Sequence, residues 1–351
     1  MGSRAEDDFG AERTRCRAKL KSFGRRNEFQ ARSGVEMKRL IVWRIPESLG
    51  DLVVLLPALE LLCTAVDCEL WITNPAAPQL VRFADSVHAI AANEFLSLYN
   101  ELKKPSSHTF LARGGSTVGI APIVIRAFGF DEIILGGLMR GLKPPLSLPQ
   151  RPSIKFINTD PDLLAMSGAP THAVDQLLVA AGRFIDNQGS NRLPRIRCDA
   201  GPRQNLAVIH PFSSTPPKNW PLDKFRCLAE KLGQRDLEVR WTHGPSDPPI
   251  DGAVCFENLY DWASWVSRAQ IFIGNDSGPG HLAAAVGTPT IAVFTHASDP
   301  AVWAPRGEHV RVAQSYQSVD AIFKTAVKLL EQYPDGAQLD STELDSHVVV
   351  A

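Results

Sequence analysis

The chain has 351 residues, of which 44% are hydrophobic and 21% are charged, and its formal net charge is −1. This composition is typical of a globular protein of roughly two domains, and it excludes the disordered and fibrous classes. The balanced charge argues against a nucleic-acid-binding protein, which usually carries a large basic excess. No apolar stretch in the sequence reaches the length of a membrane-spanning helix.

The two ends of the sequence differ from the rest. Residues 1–39 contain eleven Lys or Arg and six Asp or Glu, without the apolar segment of a secretory signal. We expect residues 1–37 to be a disordered basic leader, with contact to anionic lipid headgroups as the alternative. Folded structure is expected to begin near Met37, and residues 335–351 are expected to be a disordered tail.

The cysteines form no CxxC pair and no zinc-ligand spacing. They are therefore expected to be reduced, mostly buried thiols of a cytosolic protein.

The first elements predict a doubly wound α/β domain. Residues 39–45 (RLIVWRI) have the β-branched, apolar character of a strand buried on both faces. A loop at 46–51 (PESLGD) and an apolar helix at 52–63, which Pro57 is expected to kink, follow it. Strands are also predicted at 69–73 and 86–91, a helix and a strand within 111–138, a loop at 141–152 and a helix at 173–184.

A second α/β series follows a polar linker at 188–204. Its predicted strands are 206–210, 237–242, 253–256, 270–274 and 290–294, and its predicted helices are 222–232, 260–268, 279–286 and 319–330. The fold class is therefore α/β, with an N-terminal domain at 38–187, a C-terminal domain at 205–315 and a final helix within 316–334. Two such domains facing each other form a cleft where ligands bind.

Three loops at the carboxyl ends of predicted strands carry the candidate site residues. The first contains Ser48, Gly50 and Asp51, whose carboxylate is a candidate base for a sugar hydroxyl. The alternative is that Asp51 only caps its helix.

The second loop, residues 211–221 (PFSSTPPKNWP), offers hydroxyls and Lys218 just before a helix. A lysine together with helix N-terminal amides suits a diphosphate. The alternative is an ordinary solvated lysine.

The third loop, residues 274–281 (GNDSGPGH), joins a buried strand to a helix. Asp276 or Ser277 is expected to cap that helix. Gly278 and Gly280 are expected to leave the backbone bare for a ligand, and His281 falls on the first helical turn. A structural histidine is the alternative.

Several other site chemistries are excluded. The first strand is not followed by G-x-G-x-x-G, and the chain has no Walker A loop and no G-x-S-x-G. The residues Asp276, His281 and His296 lack a specific metal-ligand spacing, so no metal site is predicted.

Taken together, residues 38–330 resemble bacterial glycosyltransferase family 9, the lipopolysaccharide heptosyltransferase group. The resemblance is carried by four segments: the opening strand, LGD loop and helix at 38–59, the PFSS…K-WP…F stretch at 209–225, the turn at 242–247 and the NDSGPGHLAAAVGTPTIAVF…SDP…W-P block at 274–305. It implies a GT-B fold, with two Rossmann-like domains facing a cleft.

The resemblance also implies roles for individual residues. Asp51 would deprotonate the acceptor hydroxyl, Lys218 would neutralise the donor diphosphate, and Asp276 would bind hydroxyls of the donor sugar. Other implied donor-site residues are Ser213, Asp247, Ser277, Gly278 and His281, with Ser48 and Gly50 in the acceptor-side loop.

The implied reaction is an inverting sugar transfer without a metal or cofactor. The donor would be a nucleotide sugar such as ADP-heptose, and the acceptor a lipopolysaccharide or another lipid-linked or surface glycan. The expected location is the cytoplasm, with peripheral contact at the inner face of the cytoplasmic membrane.

The sequence departs from the family pattern at two positions, both at the nucleotide end of the expected pocket. Pro248 and Pro249 follow Asp247, so only Asp247 or Asp251 remains to bind the ribose, and Thr295 stands where a glycine is usual. A non-catalytic nucleotide-sugar-binding module and a sugar-nucleotide epimerase of the same fold therefore stay open as alternatives.

Overall fold

The computed structural model describes residues 37–103, 126–127, 129–139, 142, 152–160, 164, 168, 170–185 and 193–333. The described residues lie in one compact unit that begins at Met37. The predicted leader and tail lie outside the described residues, as do most of the loop predicted at 141–152 and most of the region before residue 132 where a helix was predicted.

The first half of the chain forms a five-stranded parallel sheet. Its strands in chain order are β1 (Lys38–Arg44), β2 (Asp67–Ile72), β3 (Ser86–Ala89), β4 (Glu132–Gly137) and β5 (Ser153–Asn158). Their spatial order is β3-β2-β1-β4-β5, which is the order of a Rossmann sheet. The central strand β1 is buried over its whole apolar run, because neighbouring strands and helices cover both edges and both faces.

Among the residues that the structure describes, the helices with defined bounds beside this sheet are α1 (Leu49–Leu62), α2 (Ala77–Leu80), α3 (Ala92–Leu102) and α4 (Ala173–Gly182). Nearly every residue of α1 from Leu52 onward is buried, so it is an interior helix rather than an amphipathic surface helix. It belongs to a hydrophobic cluster that reaches from the first sheet to Phe272 and Leu282 in the second half of the chain.

The second half forms another five-stranded parallel sheet, with strands β6 (Gln204–His210), β7 (Glu238–Trp241), β8 (Ala269–Asn275), β9 (Thr290–Phe294) and β10 (Val310–Gln314) in the order β10-β9-β8-β6-β7. The helices are α5 (Leu222–Gly233), α6 (Leu259–Val266), α7 (Gly278–Ala285), α8 (Pro300–Trp303) and α9 (Val319–Gln332). Apolar residues at helical spacing bury one face of α5 and one face of α9 against the sheet.

The strand predicted at 253–256 is wrong. Only Val254 pairs, through a single parallel bridge to Thr242 at the end of β7. The chain reaches this point through a turn at Gly252, whose φ is +74°, so too few residues remain extended beside β7 to continue the sheet. Elements that the sequence did not predict are β5, β10, α2, α3 and α8.

Polar contacts also join the two halves. His172 caps α4 by accepting from Val174 N through Nδ1, and its Nε2 donates to the Ala304 carbonyl at 2.9 Å. Asp175 and Arg306 form an ion pair beside it. Since α4 packs on α1, these contacts connect the C-terminal half to the helix that carries Asp51.

Within the described part of the chain, no helix has both the length and the apolar character needed to cross a bilayer. The prediction of mostly buried cysteines is wrong, because Cys63 and Cys68 are buried whereas Cys198 is half-buried and Cys227 and Cys255 are exposed. Cys16 lies outside the described residues.

Candidate active site at two facing helix N-termini

Asp51 lies in the first turn of α1, but it is not the helix cap. The cap is Ser48, whose Oγ accepts from Asp51 N at 3.4 Å, so the capping interpretation of Asp51 is wrong. The Asp51 carboxylate is therefore free from the capping role, and it lies near the positive end of the helix dipole.

A buried asparagine that the sequence analysis missed holds this loop in place. Asn74 follows β2, is fully buried, and donates through Nδ2 to the carbonyls of Pro46 and Ser48 at 3.0 and 3.1 Å. Its Oδ1 accepts from Ala76 N at 3.0 Å. An amide side chain suits this position because it both donates and accepts.

Lys218 and Asp276 come together at the carboxyl edge of the second sheet. Lys218 ends a 3-10 turn (Pro216–Lys218), and its Nζ lies 2.7 Å from Asp276 Oδ2. Ser298 Oγ donates to the same oxygen at 2.5 Å. The carboxylate of Asp276 is 3% exposed and the Lys218 side chain is 25% exposed, so the lysine is the partner that faces solvent.

Asn275 and Thr295 fix the loop that carries Lys218. Asn275, fully buried at the end of β8, donates to Pro211 O at 2.7 Å and accepts from Trp220 N at 2.8 Å. Thr295 Oγ1 donates to Pro217 O at 2.8 Å, one residue before the lysine. Asn275 therefore performs for this loop what Asn74 performs for the first one.

The N-termini of α1 and α7 meet directly. A Cβ on Gly278 would lie 2.7 Å from Leu49 Cβ, a distance that real side chains do not reach, so the missing side chain serves the contact between the two helices. On the side of Gly278 where a side chain would project, Leu49 and Gly50 cover the backbone. The prediction that Gly278 leaves its backbone bare for a ligand is wrong for that side. A Cβ on Gly50 would lie 3.5 Å from His281 Cδ2, which places His281 across from the first loop.

Ser277 occupies the N-cap position of α7, but neither it nor Asp276 caps the helix with its side chain. Ser277 Oγ donates instead to Asn275 O at 3.3 Å. The predicted cap is therefore wrong, and the first amides of α7 receive no side-chain oxygen from Asp276 or Ser277. In this first turn Pro279 has no N–H and Gly280 N donates to Ser277 O at 3.1 Å, so Gly278 N is the amide that can bind an anion.

Burial and neighbouring charges shift the pKa values of two site residues. Burial raises the pKa of Asp51, although its hydrogen bond with Ser48 and the nearby Lys218 ammonium both oppose this rise. Burial lowers the pKa of His281 to about 4, against the attraction of Asp276 and with a contribution from His172 and Lys218. His281 is therefore neutral at pH 7, and the positive charge at this site comes from Lys218.

Asp247 and Ser213 do not join this cluster through any direct contact in the described residues. Asp247 Oδ2 accepts from Gly244 N at 2.7 Å and lies 3.2 Å from His210 Nε2. Its pKa is lowered, because the bonds from His210 and Gly244 N outweigh the opposing effect of burial. Ser213 Oγ accepts from Thr215 N in a local turn at 3.3 Å.

The described residues contain no group of three or more His, Cys, Asp or Glu side chains placed to hold a metal ion. Besides Asn74 and Asn275, the sequence analysis missed His210 and Ser298 as site residues. The available signal was their position, since each lies at or just after the carboxyl end of a strand in the second sheet.

Known proteins resemble this chain in sequence and in fold. Residues 186–332 match the sequence model of glycosyltransferase family 9 (heptosyltransferase). Lipopolysaccharide heptosyltransferase 3 of Escherichia coli is 36% identical over 150 residues, which are 38% of this chain and 43% of that protein. Lipopolysaccharide core heptosyltransferase OpsX of Haemophilus influenzae is 26% identical over 129 residues, which are 33% of this chain and 37% of that protein. The chain thus spans less than half the length of the curated relatives it matches.

Solved structures share the fold over most of the chain. A family 9 glycosyl transferase from Veillonella parvula has a TM-score of 0.60 at 17% identity and covers 86% of this chain and 99% of its own. The E. coli heptosyltransferase WaaC with ADP has a TM-score of 0.55 at 16% identity and covers 84% of this chain and 100% of its own. The predicted α/β GT-B fold is confirmed, and the resemblance to glycosyltransferase family 9 is confirmed as a sequence similarity over residues 186–332.

Proposed function

We propose that this protein is a glycosyltransferase that moves a heptose or a related sugar from a nucleotide diphosphate to a lipopolysaccharide or another surface-glycan acceptor. The similarity of this chain to lipopolysaccharide heptosyltransferases supports this substrate class. The observation that carries the proposal is the arrangement of Lys218 and Asp276 beside the N-terminus of α7, facing Asp51 at the N-terminus of α1. Such a transfer requires a cation for the diphosphate, a hydrogen-bond acceptor for the hydroxyls of the donor sugar, and a base for the acceptor hydroxyl. Lys218, Asp276 and Asp51 supply these groups in that order.

The donor diphosphate binds Lys218 and the Gly278 amide at the N-terminus of α7. Lys218 is the partly exposed member of its ion pair, so its ammonium can contact a phosphate while staying near Asp276. The contact between α1 and α7 at Gly278 closes one side of this helix end. The donor therefore lies on the other side, next to Lys218. Ser277 and His281 line this position, and His281 acts there as a neutral hydrogen-bonding group.

Asp276 binds the donor sugar. Its Oδ2 is already held by Lys218 and Ser298, which fixes the direction of the carboxylate. The other oxygen, Oδ1, accepts from hydroxyls of the sugar. This arrangement orients the donor without a change in the position of the acid, which is the preorganisation that lowers the cost of binding.

Asp51 is the general base of a single displacement. It takes the proton of the acceptor hydroxyl as that oxygen attacks the anomeric carbon. The bond to the leaving phosphate oxygen breaks, its electron pair leaves with the nucleoside diphosphate, and the configuration inverts. A raised pKa makes Asp51 a stronger base than an ordinary aspartate.

Donor binding strengthens this base further. The Lys218 ammonium lowers the pKa of Asp51. A bound diphosphate neutralises that charge and adds its own negative charge nearby, and both effects raise the affinity of Asp51 for a proton. The base therefore becomes most effective when the donor is present.

This transfer needs no metal ion, because Lys218 and the Gly278 amide stabilise the charge of the leaving diphosphate. Ser213 and Asp247 lie on the nucleotide side of the proposed donor site, and Ser48 and Gly50 lie beside the acceptor. The transfer uses no cofactor beyond the nucleotide-sugar donor. The protein acts in the cytoplasm, at the inner face of the membrane where a lipid-linked acceptor is anchored.

The test is a panel of nucleotide sugars that includes ADP-heptose, incubated with the full chain and an extract of truncated lipopolysaccharide. We expect acceptor-dependent release of the nucleoside diphosphate, a product heavier by one sugar, an inverted anomeric linkage by NMR, and unchanged rates in EDTA. Binding of a donor without acceptor-dependent release supports the non-catalytic module instead. Conversion of the donor without any acceptor supports the epimerase.

A further inference from the structure

Two cysteines outside the proposed active site point directly at each other. Cys63 follows the last residue of α1 and Cys68 is the second residue of β2, and their Sγ atoms are 2.8 Å apart. This distance is shorter than the ~3.5–4.0 Å at which even smaller non-bonded carbon atoms pack. The two sulfur atoms therefore need little movement to form a disulfide.

The backbone holds both cysteines in this position. Cys63 N donates to Leu59 O at 3.0 Å as the end of α1, and Cys68 N donates to Asp85 Oδ2 at 2.7 Å. The connecting turn contains Ala65 at a φ of +60°, a left-handed conformation that residues with a side chain seldom adopt. The fold therefore maintains an unfavourable turn at the point where the two thiols meet.

The surroundings decide which reagent can reach the pair. Cys63 is 8% exposed and Cys68 is 2% exposed. Burial raises the pKa of the Cys63 thiol well above its ordinary value, and the neighbouring Cys68 adds to this rise. The thiolate is therefore scarce, and a bulky disulfide reagent cannot enter. A small peroxide meets Cys63 first, because Cys63 is the more exposed of the two.

We propose that Cys63 and Cys68 form a reversible disulfide, with hydrogen peroxide as the oxidant. This modification site goes beyond the proposed transferase activity and does not depend on it. The Cys63 thiolate attacks one peroxide oxygen, the O–O bond breaks, and hydroxide leaves to give Cys63 sulfenic acid. Cys68 sulfur then attacks Cys63 sulfur, the S–O bond breaks, and the departing hydroxide takes the Cys68 proton. Two thiols are oxidised and one peroxide is reduced to two waters.

The second step is favoured by proximity. The Cys68 sulfur needs little movement to reach the oxidised Cys63, since the two atoms are in contact before the reaction. An intramolecular step of this kind proceeds far faster than the reaction with a second peroxide molecule. The disulfide therefore forms before Cys63 is oxidised further to a sulfinic acid.

The disulfide would join the C-terminal end of α1 to β2. Asp51 is in the first turn of the same helix, and the other end of β2 leads to Asn74, which holds the Asp51 loop. The crosslink therefore restrains the two elements that position the proposed base. It also closes a short loop, which reduces the freedom of the unfolded chain and raises the Tm.

The experiment uses the full chain in its native state. It is exposed to hydrogen peroxide, quenched with N-ethylmaleimide in denaturant, and digested for non-reducing peptide mapping. We expect the segment that contains Cys63 and Cys68 to carry no maleimide and to have lost the mass of two hydrogen atoms. After dithiothreitol it should take up two maleimides, and the Tm of the oxidised protein should exceed that of the reduced protein. Maleimide on both cysteines after peroxide treatment, or sulfinic acid on either, overturns the proposal.

Two comparisons test whether the fold creates the reactivity. In Cys68→Ser, Cys63 should stop at the sulfenic acid, which dimedone traps. In denaturant the two sulfurs are no longer held in contact, so dimedone added with the peroxide should trap a larger fraction of oxidised Cys63 as sulfenic acid than in the native protein. An equal trapped fraction in the native and denatured chains overturns the inference that the native approach of the two sulfurs directs the reaction. Replacement of the other four cysteines, Cys16, Cys198, Cys227 and Cys255, by serine removes competing thiols and should leave the native result unchanged.

Discussion

Lys218 Nζ lies 2.7 Å from Asp276 Oδ2, although the two residues belong to different connections between strand and helix. Asp276 is almost completely buried, and a second donor, Ser298, shares the oxygen that the lysine contacts. A buried carboxylate needs such partners, because desolvation without them costs several kcal/mol. The pair therefore fixes the position of the Asp276 carboxylate, and it keeps one cation beside the proposed donor site.

Lys218→Met should weaken both donor binding and turnover. It removes the cation that stabilises the leaving diphosphate, and we expect kcat to fall by about 10²–10³-fold, as for the loss of one preorganised donor. It also removes the charge that lowers the pKa of Asp51, so the acidic limb of the kcat profile should move to higher pH. The measurement is kcat and donor KM across pH, with exposed Lys328→Met as the control. An unchanged acidic limb would contradict the coupling between Lys218 and Asp51.

Asp51→Asn should separate catalysis from stability. Loss of the base should lower kcat by about 10²–10⁴-fold while donor affinity is retained. Burial raises the pKa of Asp51, so the folded protein binds this proton more tightly than the unfolded chain does. Ionisation of this carboxyl therefore destabilises the folded protein. The loss of stability develops as the pH rises from 3.8, the ordinary pKa of aspartate, through the pKa in the folded protein. At pH 7 the variant should have a higher Tm than the wild type, and an equal or lower Tm would argue against the burial of this charge.

Thr295→Val should weaken donor binding indirectly, because Thr295 acts by holding the turn that carries Lys218. Valine keeps the shape of threonine but removes the hydroxyl that donates to Pro217 O at 2.8 Å and accepts from Ala297 N at 3.2 Å. The turn before Lys218 then loses its anchor, so donor KM should rise several-fold more than kcat falls. Thr295→Ser keeps both bonds and should behave like the wild type. If the serine variant is as impaired as the valine variant, the hydroxyl is not the cause.

Gly278→Ala tests the contact between the two helix N-termini. The added Cβ would lie 2.7 Å from Leu49 Cβ and 3.1 Å from Gly50 N, so the helices must separate. Gly280→Ala is a matched control in the same turn, because its Cβ would meet no atom closer than 3.5 Å. The control should be neutral or up to about 1 kcal/mol more stable, since alanine favours helix. Gly278→Ala should lower both Tm and kcat, and equal behaviour of the two variants would show that the contact is not needed.

Stability should fall as the pH drops below neutral, and His281 should account for part of the loss. Its pKa is lowered from 6.5 to about 4 by burial, so the unfolded chain takes up a proton that the folded protein excludes. The contribution is complete above pH 6.5 and is lost as pH falls towards 4, with a size on the order of 3 kcal/mol. Urea unfolding of His281→Gln between pH 7 and 5 should show a shallower decline than the wild type. Exposed His296→Gln should leave the slope unchanged.

The sequence determined much of the local structure and the resemblance to a known family. Apolar runs bounded by loops predicted the strands β1, β6, β8 and β9, because a strand buried on both faces needs apolar residues throughout its length. The order of residues in 274–281 indicated both the turn and the relatives of this chain. Short or half-exposed elements such as β5 and β10 escaped prediction, since their partners in the sheet, rather than their own composition, keep them extended.

Only the tertiary structure decided what each candidate residue contacts. The sequence could not distinguish a glycine kept for a ligand from one kept for a neighbouring helix, and Gly278 proved to touch Leu49 from the other half of the chain. Nor could it reveal that Asn74 and Asn275 hold the two loops, or that Cys63 and Cys68 meet. These relationships depend on distances between segments far apart in sequence or on the exact path of a turn, and residue patterns along the chain do not encode either.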